Sequence, residues 1–314
     1  MPVVLDPDAA AVLNAFREAG RPAYETLTAD EARGFYADAR LVAAPEPPPM
    51  ASVTPLSIPG PAGLIPARVY TPLKLNMLNS RSPCLVFFHG GGWVIGDLDT
   101  HDVVCRTLAA EGELLVISVD YRLAPENKFP AAYDDAVAAT QWIVENATDL
   151  KIEPGSVFVG GDSAGGNLAA AVALHARTRG PKLAGQVLIY PVTDLRMQHP
   201  SYAEPETDCL LTSSVMHWFT DHYLNGPGDV ADVRASPARA DSLAGLPPAY
   251  VLTAGADPLR DEGIAYAERL KKDGVAVTYQ HFSGQYHGFI TMGKLLTKAN
   301  GALQDIGTWL KAQA

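Results

Sequence analysis

The pentapeptide Gly161-Asp162-Ser163-Ala164-Gly165 follows a short apolar run, 157–159, and precedes a helical pattern from Asn167 to Thr178. Strand, tight turn and helix in that order are what a nucleophile elbow needs, because small residues permit the strained turn that lifts a serine hydroxyl above a sheet. Serine is a weak nucleophile at its own pKa, so it requires a histidine base, which a carboxylate must orient and support electrostatically. Of eight histidines, only His281 and His287 follow the last expected strands. His281 lies within the extended run 275–282, which suits a structural or surface position. His287, in Gly284-Gln285-Tyr286-His287-Gly288, lies in a turn after that strand and is the expected base. For the acid, Asp257 follows the apolar run 250–254 and emerges at the carboxyl end of a strand, where open α/β sheets place their sites. Asp194 competes, since it too follows a strand, 187–190, and the order serine, aspartate, histidine holds for either. Asp257 is preferred because Asp194 stands where the regular alternation of elements breaks and can cap that turn instead. Asp261 and Glu262 read as charges at a helix N-terminus.

Acyl transfer also needs donors fixed in advance around a developing oxyanion, and backbone N–H groups are the usual source. The loop His89-Gly90-Gly91-Gly92-Trp93, directly after the apolar run 85–88, supplies them, and the Ala164 amide beyond the serine adds another. No Gly-Lys-Ser/Thr and no dinucleotide glycine spacing follows, which argues against phosphate binding. His89 reads as a structural hydrogen-bonding residue.

These residues need a sheet to hold them. Near-continuous apolar runs at 85–88, 114–119, 157–159, 187–190 and 250–253 alternate with helical patterns at 102–111, 131–146 and 164–178, which implies a parallel sheet covered on both faces. A strand at 275–282 and a helix near 294–312 complete the alternation. Extended pieces at 52–58 and 66–71 read as a hairpin at the antiparallel edge. Upstream lie two helical patterns, the first from Asp8 and the second starting at Thr28, with Glu31 three residues on as in a capping box. Between Leu195 and Ser236 the regularity breaks around a helix containing Met216, Trp218 and Phe219, which reads as an insertion over the sheet.

The remaining composition narrows the class. Twenty-four Lys and Arg against 35 Asp and Glu give a net charge of −11 with no basic run, so nucleic acid is a poor partner. No apolar stretch reaches the length of a membrane span and no signal peptide is visible, which suits the cytoplasm. Cys84, Cys105 and Cys209 are widely spaced and odd in number, so neither a disulfide framework nor a zinc site is expected.

HGGGW at 89–93, DYRLAPE at 120–126, FPAAYDD at 129–135, GDSAGGN at 161–167, DPLRDEG at 257–263 and HGF at 287–289 together resemble the hormone-sensitive lipase family, especially its bacterial members, the family IV esterases. The resemblance implies an α/β-hydrolase fold with an eight-stranded, mostly parallel sheet and a helical cap. The cap would comprise 1–50 and the insertion 195–236, and the catalytic domain 51–194 and 237–314. It implies Ser163 as nucleophile, Asp257 as acid, His287 as base, and Gly91, Gly92 and Ala164 as the oxyanion hole, with no metal or cofactor. Trp93, Met216, Trp218 and Phe219 are expected to line the substrate pocket. The implied substrates are small esters of short to medium acyl chain. The implied assembly is a homodimer paired along 275–282. An amide or lactone could use the same apparatus, whereas a non-enzymatic receptor on this fold would be expected to lose part of the triad, all of which is present here.

Overall fold

A strand apolar at every position must bury both faces. The computed structural model, which describes residues 3–20, 22–75, 81–204 and 209–314, shows how this is met. The strands β1 (Met50–Gly60), β2 (Gly63–Pro72), β3 (Ser82–Phe88), β4 (Leu115–Val119), β5 (Ile152–Asp162), β6 (Gly185–Ile189), β7 (Ala249–Ala256) and β8 (Val277–Tyr286) form one eight-stranded sheet in the order β1-β2-β4-β3-β5-β6-β7-β8. β3 to β8 are mutually parallel, whereas β2 runs antiparallel to both β1 and β4. Pro55 and Pro59 suit β1 to its edge position, since a proline has no N–H for a second neighbour.

The helices are α1 (Pro7–Glu18), α2 (Ala29–Ala43), α3 (Asp102–Gly112), α4 (Ala131–Glu145), α5 (Ala164–Arg179), α6 (Ser213–Tyr223), α7 (Arg260–Lys272) and α8 (Thr297–Gln313). Side-chain alternation along β3 divides the core between them. Val86 and Phe88 pack on the face covered by α4, α5 and α7, while Leu85 and Phe87 pack on the face covered by α3 and α8. Truncating a fully buried ring such as Phe87 is expected to cost about 3–5 kcal/mol. The capping box at α2 is present: Thr28 N–H donates to the Glu31 carboxylate at 2.9 Å, and Glu31 N–H to the Thr28 hydroxyl at 3.3 Å. No described helix is long and apolar enough to cross a membrane.

β8 departs from the expected 275–282. It continues to Tyr286 after an irregularity that pairs Ala254 with Phe282 but Ala256 with Tyr286, so β8 spends extra residues there. His287 therefore leaves the end of a bulged strand. An inserted pair of residues re-aims the chain at such a point.

Candidate active site

Asp162 ends β5 and Ala164 begins α5, so the chain must turn within one residue, Ser163. Its backbone takes φ 56° and ψ −118°, a conformation that costs a non-glycine residue of order 1–3 kcal/mol. The surroundings enforce it. Ser163 N–H donates to Ile189 O at 2.9 Å, and Ser163 O accepts from Asn167 N at 3.0 Å. A Cβ on Gly165 would collide with the Phe88 carbonyl oxygen, so only glycine lets α5 approach the end of β3 this closely.

The Ser163 hydroxyl lies 2.9 Å from His287 Nε2, and His287 Nδ1 lies 2.8 Å from Asp257 Oδ2. An ionised carboxylate can only accept, so Nδ1 carries the proton and Nε2 is free to accept from the serine. The other Asp257 oxygen takes the Leu259 N–H at 2.8 Å, and the carboxylate is sealed from solvent. The His287 ring is steadied from two sides. Tyr190 lies against its ring with centroids 4.5 Å apart, and just before it Asp6 N–H donates to Gly284 O at 2.9 Å while the Asp6 carboxylate accepts from Gln285 Nε2 at 2.9 Å. Asp194 lies outside this chain of hydrogen bonds: its carboxylate is occupied by the Arg196 guanidinium and accepts the Arg196 N–H at 3.1 Å. His281 is also elsewhere, with Nδ1 at 2.9 Å from the Thr253 hydroxyl.

The amides of Gly91, Gly92 and Ala164 have no protein acceptor among the described residues. Gly92, at φ 57°, backs onto the Phe219 ring so closely that a Cβ there would overlap it. The loop is fastened to the elbow by Asp162, whose Oδ1 accepts the Gly90 N–H at 2.8 Å. Burial alone pushes the Asp162 carboxyl up, but the His101 ring 3.2 Å away, with His287 and His89 beyond, reverses this and holds it below the ordinary carboxylate range. His89 is a scaffold residue: Nδ1 donates to Gly90 O at 2.8 Å and the ring stacks on Tyr121 at 4.4 Å. Burial, then the neighbouring His101, pushes the His89 pKa down to about 4, so it is neutral near pH 7.

Ser163 and His287 open on a cavity of about 410 Å³, walled by Gly91 and Gly92 and by side chains of α1, α2 and α6, among them Leu13, Tyr36, Met216 and Phe219. Two of the four aromatic and Met residues expected there are placed otherwise. Trp93 is fully buried, stacked on Tyr223 with centroids 4.1 Å apart and an interplanar angle of 4°. Trp218 leans on His222 at 4.3 Å, on a different face of α6 from Met216 and Phe219. The reason is helical geometry: residues three apart share a face, and their neighbour between does not.

A family model described as alpha/beta hydrolase fold matches residues 85–291. The carboxylic ester hydrolase LipN of Mycobacterium tuberculosis is 47% identical over 260 residues, covering 81% of this chain and 68% of that protein. An ethyl acetate hydrolase of Pseudomonas putida is 38% identical over 309 residues, covering 95% and 96%. Among solved structures, the ester hydrolase EH1AB1 from the metagenome of Lake Arreo superposes with a TM-score of 0.94 at 39% identity, covering 98% of this chain and 99% of that one. The chain belongs to the hormone-sensitive lipase family of α/β hydrolases. It is a carboxylic ester hydrolase.

Sequence reasoning passed over several parts of this esterase. Asp162 sits inside the serine motif, and its place directly before Ser163 was the one signal in the sequence, while its grip on Gly90 shows only in the fold. Glu262 is not simply a helix-terminal charge. It is buried, accepting from Thr193 N–H at 2.5 Å, Asp194 N–H at 3.3 Å and the Tyr202 hydroxyl at 3.1 Å, so it ties α7 to the chain that follows β6. Burial pushes its carboxyl up to about 8. The esterase also draws cavity walls from α1, where no motif announces them.

Proposed function

We propose that Ser163 is the nucleophile, His287 the general base and acid, and Asp257 the carboxylate that orients the imidazole and stabilises its charged form. The supporting observation is the unbroken hydrogen-bond chain from Asp257 through His287 to Ser163, ending beside three amides that have no protein acceptor among the described residues. His287 removes the Ser163 proton as the hydroxyl attacks the ester carbonyl. The oxyanion is received by the Gly91, Gly92 and Ala164 N–H groups, with the N-terminus of α5 adding its partial positive charge. Collapse expels the alcohol, which takes the proton from His287. Water activated by the same imidazole then releases the acid from the acyl-enzyme.

Residues 1–50 and 195–236 act in this reading as one cap over the catalytic domain, and Met216 and Phe219 set the length of the acyl chain. Short to medium chains fit best, because each added methylene gains roughly 0.8 kcal/mol only where the wall can bury it. Hydrolysis of p-nitrophenyl esters from acetyl to palmitoyl, with a matched anilide and the Ser163→Ala variant, tests this. Cleavage of short and medium esters by the parent alone supports the reading, while rates that climb to palmitoyl, or a Ser163→Ala variant that retains turnover, would overturn it. The same reading carries a homodimer along β8, the last strand of the sheet, whose outer edge offers backbone groups for pairing. A monomer by light scattering across concentrations removes that part.

A further inference from the structure

Most of the buried or half-buried arginines of the esterase have a carboxylate partner. Arg33 binds Glu126 and Asp30, Arg122 binds Asp135, Arg234 binds Asp232 and Arg260 binds Glu204. Arg40, in the last turn of α2, lines the cavity and forms no ion pair among the described residues. One nitrogen, Nη1, donates to the Thr291 hydroxyl, and the guanidinium carbon lies 4.5 Å over the Tyr36 ring. Its Nε is buried without an acceptor among the described residues. Nη2 comes within 3.9 Å of where a Cβ on Gly288 would stand, so the cation borders the residue directly after His287.

A guanidinium stays charged at any ordinary pH, and withdrawing it from water without a counter-charge is costly. The acids on the same wall give it no direct ion pair, although Asp162 attracts it from a distance. Asp162 is committed to the Gly90 N–H and His101, and Glu25 stands exposed on the turn before α2. Most of the remaining wall is apolar, with Leu13, Phe16, Ala39, Met216 and Phe219. In such a setting guanidinium N–H donors suit a planar carboxylate or a phosphate, and of the two the carboxylate is the smaller, less charged group for a largely apolar cavity.

We infer that Arg40 binds an anionic group of the substrate, so that the esterase selects esters bearing a carboxylate a few bonds from the scissile carbonyl, such as half-esters of short dicarboxylic acids. This rests on the Ser163 mechanism above. The acyl C–O bond is broken, the oxygen of water ends on the acyl carbon, the alcohol leaves with a proton, and Arg40 exchanges none. Its role is to hold the tail so that the carbonyl lies over Ser163.

The test compares monoethyl half-esters of succinic, glutaric and adipic acid with neutral ethyl esters matched in chain length, at neutral pH, for the parent, Arg40→Gln and Arg40→Lys. The parent should favour at least one half-ester over its neutral match in kcat/KM. Arg40→Gln should lower that preference about tenfold, chiefly through KM, as loss of a hydrogen-bonded charge contact does, and Arg40→Lys should keep part of it. An arginine that merely ties α2 to the loop after His287 would slow both substrates together and leave their ratio unchanged, which overturns the inference. So does a parent that prefers the neutral ester throughout, a result that needs no variant to fold. If the parent cleaves neither series, the Ser163 mechanism fails first. If it cleaves neutral esters without favouring any half-ester, only the role of Arg40 fails.

Discussion

Ser163, His287 and the glycine loop stand at the carboxyl ends of parallel strands, whereas Met216, Phe219 and Arg40 reach the same cavity from helices far apart in sequence. On the strand side the backbone around Ser163 and the glycine loop is fixed by its neighbours. Phe88 O presses on Gly165, Ile189 O holds the Ser163 amide, and Asp162 grips Gly90. On the helical side single side chains make the wall, and among the described residues Arg40 is tied to Thr291 while Met216 and Phe219 are held by packing. In the proposed reading, chemistry and selectivity are supported by different parts of the chain, so substitutions in the two should fail differently.

The largest contrast concerns the two aspartates. Asp257→Asn should lower kcat by roughly 10⁴-fold by offering the imidazole the wrong tautomer, while Asp194→Asn, weakening its pairing with Arg196, should cost less than about tenfold. Steady-state kinetics of the pair on one ester decides it, and equal losses would erase the contrast. Asp162→Asn comes next. Loosening the clamp on the Gly90 amide should cost about tenfold in kcat with a smaller change in KM, since a misplaced donor is felt in the transition state. On the helical side, Phe219→Leu should move the preferred acyl length upward by about one methylene and alter kcat/KM a few-fold, with kcat for the shortest ester nearly kept. A large loss of kcat there would show that the wall, too, positions the chemistry.

The smallest expected effect lies at the seam between the regions. The Glu262 carboxyl ionises near 4.5 in an unfolded chain but near 8 in the native one, so across that window the native state keeps a proton that the unfolded state has lost. Stability should therefore fall as pH rises from about 4.5 to about 8. Glu262→Gln should flatten that decline, which thermal melts at pH 5 and pH 8 would register as a difference of roughly 2–4 °C.

The same division governed what the sequence made legible. Runs such as Leu85 to Phe88 betrayed their strands because burial on both faces leaves no room for polar residues. The Ser163 turn was readable because its geometry admits few residue types. Asp257 and Asp194 could be ranked but not separated by position, since both follow parallel strands and only the Nδ1 contact of His287 discriminates them. Trp93 and Trp218 misled because a large aromatic beside a site is as useful for packing as for lining, and orientation is settled by partners such as Tyr223 and His222. Arg40 and Leu13 carry no local pattern; only the folded chain brings them to Ser163.

The bond from Asp6 to Gly284 and Gln285 joins residues nearly the whole chain apart, three positions ahead of the base. Gly284 has no room for a side chain, because a Cβ there would strike the Asp6 carboxylate. A change at Asp6 should therefore be heard at His287 as looseness of the imidazole, altering the tempo of turnover more than the choice of ester. In a random-mutagenesis library the sixth residue would surface as a rate variant, with nothing in its own neighbourhood in sequence to say why.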